Sequence, residues 1–271
     1  ITDKTGTLTE GKPSLEEIIP LQNYSEKELI LLTAQLNANS EHPIAKAFKD
    51  KATYYQLEIK PTKMVANIAG KGIQGMIDSK KILLGNEALL NQNKIQVSEE
   101  IKNQVQQIQD LGKTVSYVVI NTEIVGLAVI HDAIKPEVSE TISFLHSKGI
   151  EVIMLTGDHK KTAEAIAKQI GIDKVFASQL PEDKLQMIEK IQSEGKIITM
   201  IGDGINDAPA LAKANIGIAM GNGSDLAKDF SKITLLKHSF SNVEKSIRLS
   251  EKVIKNIKEN LFFAFIYNVI G

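Results

Sequence analysis

Asp3-Lys4-Thr5-Gly6-Thr7 sets a carboxylate beside a cation, two hydroxyls and a glycine. A carboxylate can attack phosphorus and hold the phosphoryl group as an acyl phosphate. Such a transfer needs Mg2+ and cations that offset charge on the moving group. A glycine beside the attacking oxygen lets the backbone turn tightly. The same residues would also make an ordinary polar turn, since short motifs often match by chance. Company separates the two readings: Thr156-Gly157-Asp158, Lys184 and Gly202-Asp203-Gly204-Ile205-Asn206-Asp207 add hydroxyl, amide, cationic and carboxylate groups downstream.

Groups like these must be held by rigid elements. Glu10-Gly11-Lys12-Pro13 reads as a hinge. Residues 15–19 look like a strand, and Ser25 with Glu28 predicts a capping box ahead of Leu29, Leu32 and Leu36. Pro43 suits the first turn of a helix, with Ile44, Ala47, Phe48 and Lys51 forming a stripe behind it. Glu41 and His42 then stand at that helix mouth, where a capping or core-packed histidine is the plain alternative to a ligand-binding one.

Gly70-Lys71-Gly72-Ile73-Gln74-Gly75 matches the dinucleotide fingerprint, which ought to open a helix. Met76-Ile77, the polar Asp78-Ser79-Lys80 and Ile82-Leu83-Leu84 predict a hairpin instead. A glycine turn between strands is therefore the plain reading, and Gly85-Asn86 likewise reads as a strand-ending turn. Ser98 begins a helix with Ile101, Val105, Ile108 and Leu111 on one face and Gly112 as its stop. Strands at 115–120 and 124–130 complete a region expected to be an antiparallel sheet flanked by helices. It holds no Walker A loop, because Gly112-Lys113-Thr114 lacks the earlier glycine.

From 131–137 the chain crosses back. Strands at 151–155, 174–177, 197–201 and 216–219 alternate with helices at 162–170, 181–193 and 208–214. Apolar strands separated by amphipathic helices predict a parallel sheet covered on both faces. Ligands of such sheets collect beyond the carboxyl ends of the strands, where Thr156-Gly157-Asp158 and Gly202-Asp203-Gly204 fall.

The run DKTGTLT at 3–9 resembles the phosphorylation site of P-type ATPases, within the haloacid dehalogenase superfamily. The motifs at 156–158, 184 and 202–207 follow in the order those enzymes use. Ser40-Glu41-His42-Pro43-Ile44-Ala45 resembles the SEHP-type motif of the heavy-metal group. The resemblance extends over almost the whole chain. It implies a parallel Rossmann-like sheet, the haloacid dehalogenase-like phosphorylation domain, built from 1–12 and 132–245. It also implies an inserted α+β nucleotide-binding domain at 13–131 and, at 246–271, a linker helix leading into the start of a membrane helix.

The resemblance further implies ATP as substrate and Mg2+ as cofactor. Asp3 would attack the γ-phosphorus, with Lys4 and Thr5 beside it. Mg2+ would be held by the Asp3 carboxylate, the Thr5 carbonyl and Asp203, with Asp207 supporting that shell. Thr156 and Gly157, with Asp158 next to them, would hydrogen-bond the phosphoryl oxygens, and Lys184 would neutralise them. Two unit charges about 4 Å apart at an effective dielectric near 20 interact by roughly 4 kcal/mol, so carboxylates and phosphate cannot gather without those cations. On the insert, His42 would orient adenine with Glu41 in the same pocket. Gly70 and Gly72 would bring bare backbone to the nucleotide, and Asn86 would hydrogen-bond it. Thr2 departs from the apolar or aromatic residue usual there, a matter of strand packing.

At 271 residues, two domains are expected. A net charge of −1 gives no footprint for nucleic acid, and with no cysteine the chain has no thiolate for a soft metal. No run of about 18 apolar residues appears. Only Ile1 and Thr2 precede Asp3 and the last residues are nearly all apolar, so the expectation is a piece of a larger membrane protein, on its cytoplasmic side. Tyr267-Asn268 resembles a pair in the copper(I) subgroup, which implies Cu(I) as cargo of membrane and metal-binding parts outside this sequence, with Zn(II) as the other choice. The actuator motif Thr-Gly-Glu is likewise missing, which implies an actuator domain elsewhere in the same polypeptide. Two other classes stay open. A free-standing phosphatase of this superfamily would usually carry a second aspartate where Thr5 stands, and a non-catalytic nucleotide-binding module would not need the full set of charged groups.

Overall fold

The computed structural model describes residues 1–270 apart from Pro61, Lys63 and Asn222. Gly271, the last residue of the segment expected to enter a membrane, lies outside the described residues. The chain begins with β1 (Thr2–Asp3), then leaves for a long excursion. β2 (Ser14–Pro20) leads to α1 (Glu26–Leu36), where the Ser25 N–H donates to Glu28 Oε2 at 2.7 Å and the Glu28 N–H donates to Ser25 Oγ at 3.3 Å. This reciprocal cap satisfies two N–H groups that a helix start leaves unpaired. α2 (Pro43–Tyr54), β3 (Val65–Ile68), β4 (Gly72–Ile77) and β5 (Lys80–Gly85) follow. Asp78 and Ser79 both have positive φ, 47° and 61°, the mirror-image turn whose twist suits a two-residue hairpin.

α3 (Glu87–Gln92), α4 (Glu99–Asp110), β6 (Thr114–Ile120) and β7 (Glu123–His131) close the excursion. The antiparallel sheet runs β2-β7-β6-β5-β4-β3. Both of its faces are covered: Leu84, Val118 and Ala128 pack toward α1 and α2, while Leu83, Val119 and Leu127 pack toward α3 and α4. That is why these strands read as continuous apolar runs instead of alternating. On α4 the buried positions are Val105 and Gln109, and Leu111, expected on the apolar stripe, is 70% exposed. Leu111 is the C-cap, one step beyond the last regular turn, so it leaves the buried face.

The return runs through α5 (Val138–Ser147), β8 (Ile153–Leu155), α6 (Lys160–Ile170), β9 (Lys174–Phe176), α7 (Pro181–Ser193) and β10 (Thr199–Gly202). A single 3-10 turn at Ile205–Asp207 precedes α8 (Ala208–Lys213), β11 (Ile216–Ala219), α9 (Asp225–Asp229) and β12 (Ile233–Thr234). These strands and β1 form a parallel sheet in the order β12-β11-β10-β1-β8-β9, so the α/β architecture combines a parallel with an antiparallel sheet. β1 is central, with Thr2 opposite Ile201 on one side and Met154 on the other. The Thr2 hydroxyl, buried among apolar neighbours, donates to the Asp3 carbonyl at 2.9 Å, which removes the penalty of an unpaired buried donor.

α10 (Ser241–Ile270) is one helix of 30 residues. It passes without a break through 245–246, because nothing between 241 and 270 is glycine or proline. No helix among the described residues is long and apolar enough to cross a membrane.

Candidate active site

β1, β8 and β10 run parallel, so Asp3, Thr156 and Asp203 emerge at the same carboxyl edge of the sheet. The loop after Asp3 is tightly wound. The N–H groups of Thr7, Leu8 and Thr9 all donate to the Lys4 carbonyl, at 3.3, 2.9 and 3.1 Å. Gly6 has φ +73°, and a Cβ there would sit 1.7 Å from Asp203 Oδ2. Only glycine both adopts that turn and lets the Asp203 carboxylate close over the loop.

Asp3, Asp203 and Asp207 each offer an oxygen within 4.8 Å of the others. Lys184, in the second turn of α7, donates to Asp3 Oδ1 at 2.5 Å and Asp207 Oδ1 at 2.7 Å. The second Asp207 oxygen accepts the Gly204 N–H at 3.3 Å, so both ends of this carboxylate are engaged by protein. Lys4 Nζ lies 2.5 Å from Asp158 Oδ2 in an ion pair not aligned as a hydrogen bond. The Thr156 hydroxyl accepts the Asp158 N–H at 3.2 Å and keeps its own hydrogen to donate. Gly157 is exposed, and its N–H meets no acceptor among the described residues.

Burial, then the neighbouring Asp207, pushes the Asp3 carboxyl well above the ordinary carboxylate range, with Lys184 pulling the other way. Burial and Asp207 likewise push Asp203 up to about 6. Burial also works against the Lys184 ammonium, but Asp3 and Asp207 outweigh it and hold its pKa above the usual lysine value. Three carboxylates thus face one bridging ammonium, a charge deficit that a divalent cation corrects. The donors are hard oxygens, which suit Mg2+. The Thr5 carbonyl, expected to join them, accepts no hydrogen bond among the described residues, so it is available to a cation.

The second group of candidates lies on the insert. His42 caps α2: its Nδ1 accepts the Ile44 N–H at 3.2 Å. In the neutral ring the proton must then reside on Nε2, which leaves a donor for a ligand. Glu41 beside it is exposed. Asn86 caps α3 through Oδ1 and donates from Nδ2 to the Gly70 carbonyl at 2.8 Å, so its amide mainly shapes the glycine loop. Gly72 has φ +138°, and a Cβ there would lie 2.3 Å from the Leu84 carbonyl oxygen; strand packing alone demands glycine. A Cβ at Gly70 would sit 3.6 Å from Leu180 Cδ2. Leu180 is the N-cap of α7, and Lys184 stands four residues on, roughly 6 Å along the helix. The glycine loop therefore reaches the helix that carries the bridging lysine.

A haloacid dehalogenase-like hydrolase family model matches residues 1–215, and a second model of the same description matches 184–247. The chain is 42% identical over 271 residues to a copper-transporting P-type ATPase of Rhizobium leguminosarum bv. viciae, and 41% identical to a copper-exporting P-type ATPase of Staphylococcus aureus strain JH9. All of this chain is matched but only 32% and 33% of those proteins, so the chain spans about a third of their length. Among solved structures, the catalytic domain of the CPx-ATPase CopB-B superposes with a TM-score of 0.70 at 30% identity, covering 89% of this chain and 85% of that one. The chain belongs to the haloacid dehalogenase-like hydrolases, as a P-type ATPase catalytic domain. A zinc-transporting PIB-type ATPase in an E2·Pi state aligns with 96% of this catalytic domain and 42% of its own chain, at 32% identity and a TM-score of 0.68.

The catalytic domain also engages charged groups that sequence reasoning passed over. Lys135 is 2% exposed, and its Nζ donates to the Gly6 and Thr7 carbonyls at 2.9 and 2.8 Å. Asp132 accepts from Thr9 Oγ1 at 2.6 Å and from the Lys12 N–H at 3.1 Å, tying the two crossings together. Glu137 Oε1 accepts from Ser239 Oγ at 2.7 Å and the Phe240 N–H at 3.0 Å, at the foot of α10. The only signal in the sequence was the placement of Asp132, Lys135 and Glu137 within the crossing at 131–137. Nothing in that local pattern says which charge is buried.

Proposed function

We propose that this domain transfers the γ-phosphoryl group of ATP to Asp3, as the energy-transducing part of a copper-exporting P-type ATPase. The carrying observation is the cluster of Asp3, Asp203 and Asp207 bridged by Lys184 at the carboxyl edge of the parallel sheet. Asp3 is the nucleophile, and Lys184 orients its carboxylate and offsets charge on the entering phosphoryl oxygens. The Thr156 hydroxyl and the Gly157 N–H donate to those oxygens. Lys4 holds Asp158, which keeps the Thr156–Asp158 turn in place. Asp3, Asp203 and the Thr5 carbonyl would hold Mg2+, which when bound supplies the positive charge that phosphoryl transfer requires. Asp207 supports that set through Lys184 and Gly204.

The nucleotide takes the insert, with His42 Nε2 and Glu41 at the adenine and the Gly70–Gly72 turn, braced by Asn86, along the phosphates. The division between 1–12 with 132–245 and the insert at 13–131 is supported by the strands flanking the two crossings, which pair in different sheets, whereas the boundary at 246 falls inside α10. Closure about the crossings brings nucleotide to Asp3. Copper as cargo is supported by the copper-transporting and copper-exporting relatives. The membrane and actuator parts, and a location facing the cytoplasm, are inferred from the same relatives.

Asp3→Asn in the full polypeptide that carries this domain tests the assignment. Radiolabelled ATP with Mg2+ is expected to label the unaltered protein through a bond that hydroxylamine cleaves, and the variant not at all. Persistent labelling of Asp3→Asn would overturn it. Phosphate release by the 271-residue chain alone is expected to be slow and indifferent to Cu(I) under reducing conditions, because no cysteine is present.

A further inference from the structure

Lys135 makes an unusual set of bonds. Its N–H donates to the Leu8 carbonyl at 3.0 Å, while its Nζ donates to the carbonyls of Gly6 and Thr7 at 2.9 and 2.8 Å. One residue of the return crossing thus captures three consecutive carbonyls of the loop that follows the nucleophile. The Lys4 carbonyl is taken by the N–H groups of Thr7, Leu8 and Thr9. Among the described residues, that leaves the Thr5 carbonyl as the one backbone carbonyl from Lys4 to Leu8 with no hydrogen-bond partner. Successive peptide planes are linked through single φ and ψ rotations, so fixing the Gly6, Thr7 and Leu8 carbonyls on one side restricts where the Thr5 carbonyl can point. No carboxylate forms a salt bridge with Lys135 among the described residues. Its ammonium is spent on backbone, although desolvating a lysine for that purpose is costly.

We propose that Lys135 is a positioning residue for the divalent-cation site: by drawing the Gly6, Thr7 and Leu8 carbonyls to itself it aims the Thr5 carbonyl at the space shared with Asp3 and Asp203. This rests on the metal site described above. Because Lys135 belongs to the crossing between the two sheets, a shift of that crossing on domain closure moves these carbonyls directly, and the metal site is completed in step with closure.

Charge and geometry make opposite predictions, which gives the test its power. A buried cation close to a divalent site repels the ion, so on charge alone Lys135→Met would tighten metal binding. Positioning requires the reverse. Mn2+ binding to the 271-residue chain without nucleotide, followed by electron paramagnetic resonance, reads the affinity without any turnover. Lys135→Met is expected to weaken Mn2+ about tenfold, and Lys135→Arg to recover to within about threefold of the unaltered chain. Should Lys135→Met fail to fold, Lys135→Gln, a neutral side chain that still donates to a carbonyl, takes its place with an expected loss of several-fold. Unchanged or tighter Mn2+ binding by a folded neutral variant overturns the proposal. Asp203→Asn run alongside tests the metal site itself. If it keeps full affinity the site is elsewhere, whereas if it loses Mn2+ while Lys135→Met does not, only the role of Lys135 fails.

Discussion

The two sheets treat charge in opposite ways. Among the described residues, every buried charged side chain lies in the parallel half or its return crossing: Asp3, Lys4, Lys135, Lys184 and Asp207. Among the described residues, the antiparallel half buries uncharged polar side chains, Thr33, Asn37, Gln109 and Tyr117, and its candidate ligand residues Glu41, His42 and Asn86 are exposed. Holding charge out of water is costly and is repaid only by close partners. The parallel half has accepted that cost at one edge, where developing charge can be met by groups that need not reorganise. The insert is an apolar sandwich carrying its candidate ligand residues on the rim, which suits a ligand that arrives and leaves.

The contrast can be broken most forcefully at Lys184. Lys184→Met strands Asp3 and Asp207 without their shared cation, and breaking a buried pair costs about 3–5 kcal/mol. Without Mg2+ the melting temperature is expected to fall on the order of 10 °C and acyl-phosphate labelling to vanish. A loss under about 1 kcal/mol by denaturant titration would mean the bridge is not what holds this edge.

A pH series on the unaltered chain comes next. Asp3 and Asp203 have pKa values raised above their unfolded values, Asp203 to about 6, so the folded state binds more protons than the unfolded one between those limits. Their own contribution to stability therefore falls as pH climbs from about 4 through the folded pKa values, while the buried Ile1 amino group, lowered to about 5, and His42 and His238, also lowered by burial, contribute stability that rises over the same range. Comparison with Asp203→Asn isolates the carboxylates: between pH 5 and pH 8 the unaltered chain is expected to lose on the order of 5 °C of melting temperature relative to that variant without Mg2+, a difference that shrinks when Mg2+ is added. Parallel pH profiles for the two chains would contradict the charge excess assigned to the site.

Overpacking the insert should cost the same at every pH. A Cβ at Gly126 in β7 would lie 2.7 Å from Leu29 Cδ1, so Gly126→Ala overpacks the sandwich at a cost of about 1–3 kcal/mol, expected equal at pH 5 and pH 8. A strongly pH-dependent loss would show that the two halves share their electrostatics. The smallest effect is expected at His42. His42→Ala removes the α2 cap, worth about 1 kcal/mol, and with it the Nε2 donor, so calorimetry should show ATP affinity reduced several-fold. Unchanged affinity would leave His42 as a cap alone.

Much of this architecture was legible in advance where local signals are strong. The helix at 181–193 and the strand at 216–219 were expected with the bounds the structure has, because proline at a helix start and short apolar runs are local statements. Strands were read too long where polar residues meet the sheet edge: 151–155 shortens to Ile153–Leu155. β12 and α9 carried no pattern of their own, since Ile233 and Thr234 are in a strand only because they pair with Ile218 and Ala219. Of the candidate site residues of the parallel half, Lys184 bonds Asp3 and Asp207, while Lys4 and Thr156 each meet Asp158, at one edge of the sheet. On the insert, His42 and Asn86 turn out to have capping duties as well, and Gly72 is explained by packing before any ligand is invoked.

The sequence by itself determined which chemical groups the domain can bring to phosphate, their order, and the alternation of elements that sends them to one edge of a parallel sheet. Residue type and local periodicity carry that much. The tertiary structure decided which charges are buried, which carbonyls are spent and which remain free. Lys135 illustrates the division: it is an unremarked lysine until folding sets it beneath a loop 129 residues away in the chain. Desolvation and hydrogen-bond pairing depend on distance in space, and no spacing along the chain encodes them.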